Sequence, residues 1–156
     1  MMNLNPSFKK LLVNNWYLLG TLVLSLIGFI DSTYLSLAYF KGENLNCAFL
    51  SGCEQVTTSA YSTILGVPLA LIGLGFYLLV FVFLIGYWDF KKQFLLKIVY
   101  GLSIIAFGMS LWLTAVQIFI LQALCQYCLI SAITSTGIFL LSFFYQRQLK
   151  SVLKDL

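Results

Sequence analysis

Cys125-Gln126-Tyr127-Cys128 places two thiols three residues apart, where one long apolar run gives way to the next. Such a pair can open and close a disulfide, and in the first turn of a helix the macrodipole stabilises a thiolate and lowers its pKa. Cys125, at the helix end, is expected to be the more exposed and the exchanging thiol. Cys128 follows one turn deeper, displaced by about 4.5 Å along the axis, which turns it toward lipid-soluble molecules. A second pair, Cys47 and Cys53, brackets Ala-Phe-Leu-Ser-Gly. Five intervening residues with a glycine allow a ring to close, either as a static clamp on a loop or as a mobile pair. Thiolate attack on a disulfide passes electrons between two such pairs through mixed disulfides.

The surrounding chain decides where this chemistry takes place. Of 156 residues, 61% are apolar and 9% charged, against about 45–50% and about 25% in soluble domains. An all-α integral membrane protein is expected, a single domain over 1–156. Four runs are long enough to cross a bilayer, which needs about 20 apolar residues: about 16–40, 64–87, 94–121 and 125–145. The first is too long for the core of a cleaved signal peptide. Between the first two lies the only long polar segment, 41–63, which holds Cys47 and Cys53 and is expected to form a loop with a short helix near Glu54 to Ala60. Gly66-Val67-Pro68 is read as the opening of the second helix, where a proline is tolerated in the first turn. Only Gln122-Ala123-Leu124 separates the last two runs, so they must form an antiparallel hairpin with Cys125 and Cys128 in the first turn of the fourth helix.

Four spans put both termini on one side. Lys9, Lys10, Lys91, Lys92, Lys97, Arg147, Lys150 and Lys154 flank the termini and the second-to-third loop, whereas Lys41 alone flanks the other two loops. This asymmetry places the termini in the cytoplasm and all four cysteines on the outer side, where disulfides persist. The net charge of +4 sits in short clusters without the basic, aromatic-interleaved surface of a nucleic-acid binder.

There is no histidine, so the usual haem ligand is missing, and no glycine-rich dinucleotide element is present. Four thiols could bind one zinc as an all-cysteine site; the wide spacing of Cys47 and Cys53, the oxidising side and the membrane-embedded second pair count against it. A membrane dithiol without a built-in cofactor needs a mobile two-electron acceptor, and a lipid-soluble quinone is the economical one. Asp31 is the one ionisable residue well inside a span, an expensive placement. It is a candidate for quinone protonation or helix orientation, or a carboxyl satisfied by Ser32, Thr33 and Tyr34.

The order of these features resembles the vitamin K epoxide reductase family in its bacterial form. The match lies in a cysteine pair with five intervening residues in the first outer loop, a Ser-Thr-rich segment, Gly-Val-Pro before the second helix and Cys-x-x-Cys opening the fourth. Quinone-linked DsbB-type proteins carry the two pairs in the opposite order. The resemblance implies a thiol–disulfide oxidoreductase of the bacterial cytoplasmic membrane that reoxidises a thioredoxin-like (DsbA-type) extracytoplasmic protein and reduces ubiquinone or menaquinone. It implies a mixed disulfide at Cys47, attack of freed Cys53 on Cys125, and delivery of electrons by Cys128. Ser59, six residues past Cys53, matches the family's serine near the quinone head, and Ser62 stands near the place of its asparagine before the second span. Vertebrate members carry a tyrosine where this chain has Ala132, so vitamin K epoxide is not the expected substrate. Many bacterial relatives carry a fused thioredoxin-like domain; in a chain ending at Leu156 the partner is expected to be a separate protein. Two rival classes are a small transporter coupled through Asp31, with the cysteines stapling loops, and a scaffold held by two static disulfides.

Overall fold

A computed structural model describes residues 6–42, 52–90 and 92–154. Four of its helices are long and apolar enough to cross a membrane, over Asn15–Lys41, Leu69–Phe90, Gln93–Leu121 and Gln126–Ser151. The α-helices that form them are α1 over Pro6–Lys41, α3 over Leu69–Phe90, α4 over Gln93–Ala115 and α5 over Gln126–Lys154, with the short α2, Cys53–Thr57, between the first two. Pro6 suits a first helical position, whose N–H has no intrahelical acceptor.

Packing follows the rule for helices in lipid, where small and hydroxylated residues face neighbouring helices and large aliphatic ones face outward. On α1, Thr21, Ser25, Ser32 and Ser36 are buried, whereas Leu19, Val23, Leu26, Ile30 and Leu37 are exposed. Ser25 and Ser36 donate to the carbonyls of Leu22 and Ser32 at 2.9 and 2.7 Å, so their hydroxyls are satisfied within the helix. Helices α1 and α5 pack antiparallel. Tyr17 stacks on Tyr145 with ring centroids 4.5 Å apart, a Cβ on Gly20 would meet Leu141, and one on Gly137 would meet Leu24. Tyr34 packs against Tyr127 at 5.1 Å. As the number rises along α1 it falls in step along α5, which fixes the level of every residue between these pairs.

Helix α3 inserts Tyr77 beside α1. Gly28 leaves the ring its space, because a Cβ there would overlap it. The Tyr77 hydroxyl donates to the Ser131 carbonyl at 2.9 Å and lies 2.7 Å from Thr134 Oγ1, tying α3 to α5. Helix α4 joins α5 through Ser110 and Ser135, 2.7 Å apart, and through the stacked rings of Phe107 and Phe139 at 4.7 Å.

Two local features differ from the sequence reading. The second membrane helix begins at Leu69 rather than Ile64. Residues 63–68 instead form a hairpin of β1 (Thr63–Ile64) and β2 (Val67–Pro68), with Thr63 opposite Pro68 and Ile64 opposite Val67. Leu65 and Gly66 have φ of 52° and 81°, and two successive positive φ values close a two-residue hairpin loop. Pro68, with no N–H to donate, suits the end of so short a strand. The other feature is at the far end of α4, where Val116–Leu121 forms a π-helical turn that ends at Gln122 with φ 48°.

Candidate functional site

Helix α2 carries Cys53, which is disulfide-bonded and 1% exposed. Cys47 lies outside the described residues. The hydroxyl groups of Thr57, Thr58, Ser59 and Ser62 turn back on their own backbone. Thr57 donates to the Cys53 carbonyl at 2.8 Å, Ser59 to Val56 at 2.7 Å and Ser62 to Ser59 at 2.8 Å. Their donor capacity is spent locally, so Ser59 and Ser62 present oxygen lone pairs outward.

The π turn delivers the second pair. Inside it, Gln117 is buried and its Oε1 accepts the Cys125 N–H at 3.1 Å, while its backbone carbonyl accepts the Ala123 N–H at 3.2 Å. The first N–H groups of a helix have no intrahelical acceptor, and Gln117 supplies one from the preceding helix. Leu129 N–H then donates to the Cys125 carbonyl at 3.0 Å, starting α5. Replacing Gln117 by alanine is expected to destabilise the protein by about 1–3 kcal/mol, the cost of a buried unpaired donor. Thermal unfolding in detergent reads this directly, and an unchanged midpoint would show that the cap contributes nothing.

Cys125 and Cys128 are both free thiols. The expectation that Cys125 is the more exposed is overturned: it is 0% exposed, and Cys128 is the partly open one. The cause is the segment between α1 and α3, whose described part folds over the start of α5. Cys53 and Val56 of α2, Leu35 and Ala38 of α1, and Ala123 enclose Cys125 in one apolar cluster. Gln55 Nε2 donates to the Leu121 carbonyl at 3.2 Å, and Gly52 lies so close to the connection that a Cβ would sit 2.7 Å from Leu124 N. Cys53 and Cys125 thereby share one buried cluster. The Cys128 thiol, with the Cys128 N–H 3.4 Å from the Cys125 sulfur, hydrogen-bonds that sulfur and keeps the Cys125 thiol below its ordinary pKa despite burial. Cys125 is the thiol of the pair poised to ionise, at the positive end of a helix.

Cys128 faces the other way, into a cavity of about 140 Å³, roughly ten times what a single water needs. Ser59 and Ser62 line the same cavity, with Leu35, Leu113, Leu121 and Ala132 among its apolar walls. Mostly apolar walls with a few convergent polar groups are the usual form of a small-molecule site. Asp31 is not among the lining residues, although its neighbour Ser32 is. The structure thus brings Cys128, Ser59 and Ser62 to one cavity and Cys53 to Cys125. Gln117 also lines the cavity; it was not legible as a site residue, because nothing in the apolar run Val116–Leu121 announces a π turn. Among the described residues no group of three or more His, Cys, Asp or Glu could hold a metal.

A family model for the vitamin K epoxide reductase family matches residues 19–143. The chain belongs to that family. The match runs from the first membrane helix to the fourth and takes in both cysteine pairs. Membership makes this protein a multi-pass membrane disulfide oxidoreductase of a family that uses quinone-type electron carriers and thioredoxin-like partners. The cavity suits such a carrier, with apolar walls for a ring and hydroxyl oxygens within it. No curated protein matches the chain.

Proposed function

We propose that this protein oxidises a thioredoxin-like, DsbA-type protein outside the cytoplasm of a bacterium and passes the electrons through two cysteine pairs to ubiquinone or menaquinone in the cytoplasmic membrane. The observation that carries the reading is the different placement of the two inner thiols: Cys125 is buried in one cluster with disulfide-bonded Cys53, and Cys128 opens into the cavity. A thiolate of the partner attacks Cys47, forming a mixed disulfide and releasing Cys53 as a thiolate. The partner's second thiol then resolves the mixed disulfide, so the partner leaves oxidised and Cys47 is freed. Cys53 attacks Cys125 of the inner disulfide and Cys128 leaves as a thiolate. Cys47 attacks Cys53 in turn, which restores the outer disulfide and frees Cys125. The inner pair is then a dithiol beside an oxidised outer pair.

A bound quinone supplies a sink for two electrons and two protons. Cys128 meets it in the cavity, Cys125 closes the inner disulfide behind it, and the lone pairs of Ser59 and Ser62 suit the O–H groups of the hydroquinone formed. The helix α5 dipole favours the thiolates needed at each exchange. Basic residues at the termini and the second-to-third loop support cytoplasmic termini and outward-facing cysteines.

Reconstitution tests the reading. Purified protein in lipid, given a reduced DsbA-type protein and a ubiquinone or menaquinone analogue, is expected to form one hydroquinone per partner disulfide. Partner oxidation that proceeds equally well without quinone would sink the assignment of the acceptor.

A further inference from the structure

Asp31 is 8% exposed, and its Oδ2 has no hydrogen-bond partner. A buried carboxyl with a purely structural task is normally hydrogen-bonded, and an ionisable group inside a membrane helix is expensive to keep there. Its level in the bundle is fixed by its neighbours. One turn above it on α1, Tyr34 packs on Tyr127, and one turn below, Gly28 makes room for Tyr77, whose hydroxyl reaches Ser131 and Thr134. Asp31 therefore lies opposite the stretch of α5 between Tyr127 and Ser131, the turn that contains Cys128.

The titratable groups close to that level are Tyr127 and Cys128 of α5, Cys125 just before it and Tyr77 of α3. The Tyr77 hydroxyl proton is committed to Ser131. Cys128 is the group on that turn with a proton to lose in the reaction, and Ser32, next to Asp31 in the chain, already lines the cavity.

We propose that Asp31 is the proton acceptor for the inner dithiol, a role that rests on the quinone-reducing reading above. When the Cys125–Cys128 disulfide closes, the S–S bond forms and both S–H bonds break. Two electrons leave for the quinone and two protons end on the hydroquinone oxygens. The Asp31 carboxylate takes the proton that leaves Cys128 and releases it toward the cavity at Ser32, so the thiol ionises without a water molecule entering the bundle. Asp31 touches neither quinone nor disulfide in this scheme; it acts through Cys128 as a positioning and proton-holding residue.

The test compares wild type, Asp31→Asn and Asp31→Glu, all prereduced in lipid. The first measurement needs no quinone: the rate at which iodoacetamide labels Cys128 is followed against pH by peptide mass. Wild type is expected to show two inflections, one from the carboxyl and one from the thiol. Asp31→Asn is expected to show the thiol inflection alone, and Asp31→Glu to restore both. The second measurement is single-turnover reduction of a short-chain ubiquinone analogue. In Asp31→Asn its rate at neutral pH is expected to fall by about 10²-fold, within the range a positioned acid–base group supplies, with half-saturating quinone unchanged. That rate should then climb with pH as hydroxide replaces the carboxylate. Identical labelling profiles in wild type and Asp31→Asn would overturn the proposal. If wild type labels as expected but reduces no quinone, the acceptor assignment fails and the Asp31–Cys128 proton link stands.

Discussion

Replacing Cys128 by alanine is expected to end turnover after a single equivalent of partner has been oxidised. The outer disulfide can accept one pair of electrons, but with Cys128 gone no inner disulfide exists for Cys53 to attack. Cys125, buried beneath Cys53, Val56 and Ala123, then has no thiol with which to form the product bond. Steady-state quinone reduction should fall on the order of 10³-fold or more, as when one member of a covalent catalytic unit is removed. The variant should fold normally, since Cys128 is partly exposed beside open cavity space and alanine leaves no large void there. The measurement is the stoichiometry of partner disulfide formed per enzyme, read by thiol trapping alongside hydroquinone absorbance. Continued turnover beyond one equivalent would mean that electrons leave by another group, and the division of labour between Cys125 and Cys128 would be wrong.

Adding one methyl group at Gly52 is expected to slow the hand-over between the two pairs while leaving the quinone step alone. A Cβ at this position would lie 2.7 Å from the Leu124 backbone nitrogen and 2.9 Å from its carbonyl oxygen. Neither atom is the loose end of a side chain, so the loop carrying Cys53 must move off the connection that carries Cys125. Exchange between a thiolate and a disulfide demands close alignment, and a displacement of about 1 Å can cost roughly 10²-fold. Stopped-flow reduction of quinone driven by the reduced partner should therefore slow by about that factor in Gly52→Ala. Single-turnover reduction from a chemically prereduced inner pair should keep the wild-type rate, because Gly52 does not line the Cys128 cavity. Equal slowing of both rates would place the damage in the quinone site rather than between the cysteine pairs.

Residues 63–68 and 116–121 show where a one-dimensional reading stops. Both lie in apolar stretches that satisfy the length and hydropathy of a membrane helix, and both leave regular α-helical geometry. In the first, Leu65 and Gly66 at positive φ close a hairpin; a glycine signals the turn, but a leucine at φ 52° does not. In the second, the π turn lets Gln117 cap Cys125, and a glutamine in an apolar run looks the same in either kind of helix. Ser59 and Ser62 were legible through family resemblance. That their hydroxyls donate to their own backbone, and so offer acceptors to the cavity, follows from loop geometry alone.

By itself the sequence determined the four spans, the hairpin of the last two and the family. Each of these rests on local quantities: the run of apolar residues a bilayer requires, the three-residue link, and the spacing of cysteines within one segment. The tertiary structure decided which of the two inner thiols is reachable. Distance along the helix axis suggested Cys125; the loop that carries Cys53, 72 positions earlier in the chain, covers it and leaves Cys128 facing the cavity. Tertiary packing likewise set Asp31 opposite the turn of α5 that contains Cys128, since that depends on the register between α1 and α5. Burial is a property of whatever packs on a residue, and those atoms come from parts of the chain that spacing within a motif does not describe.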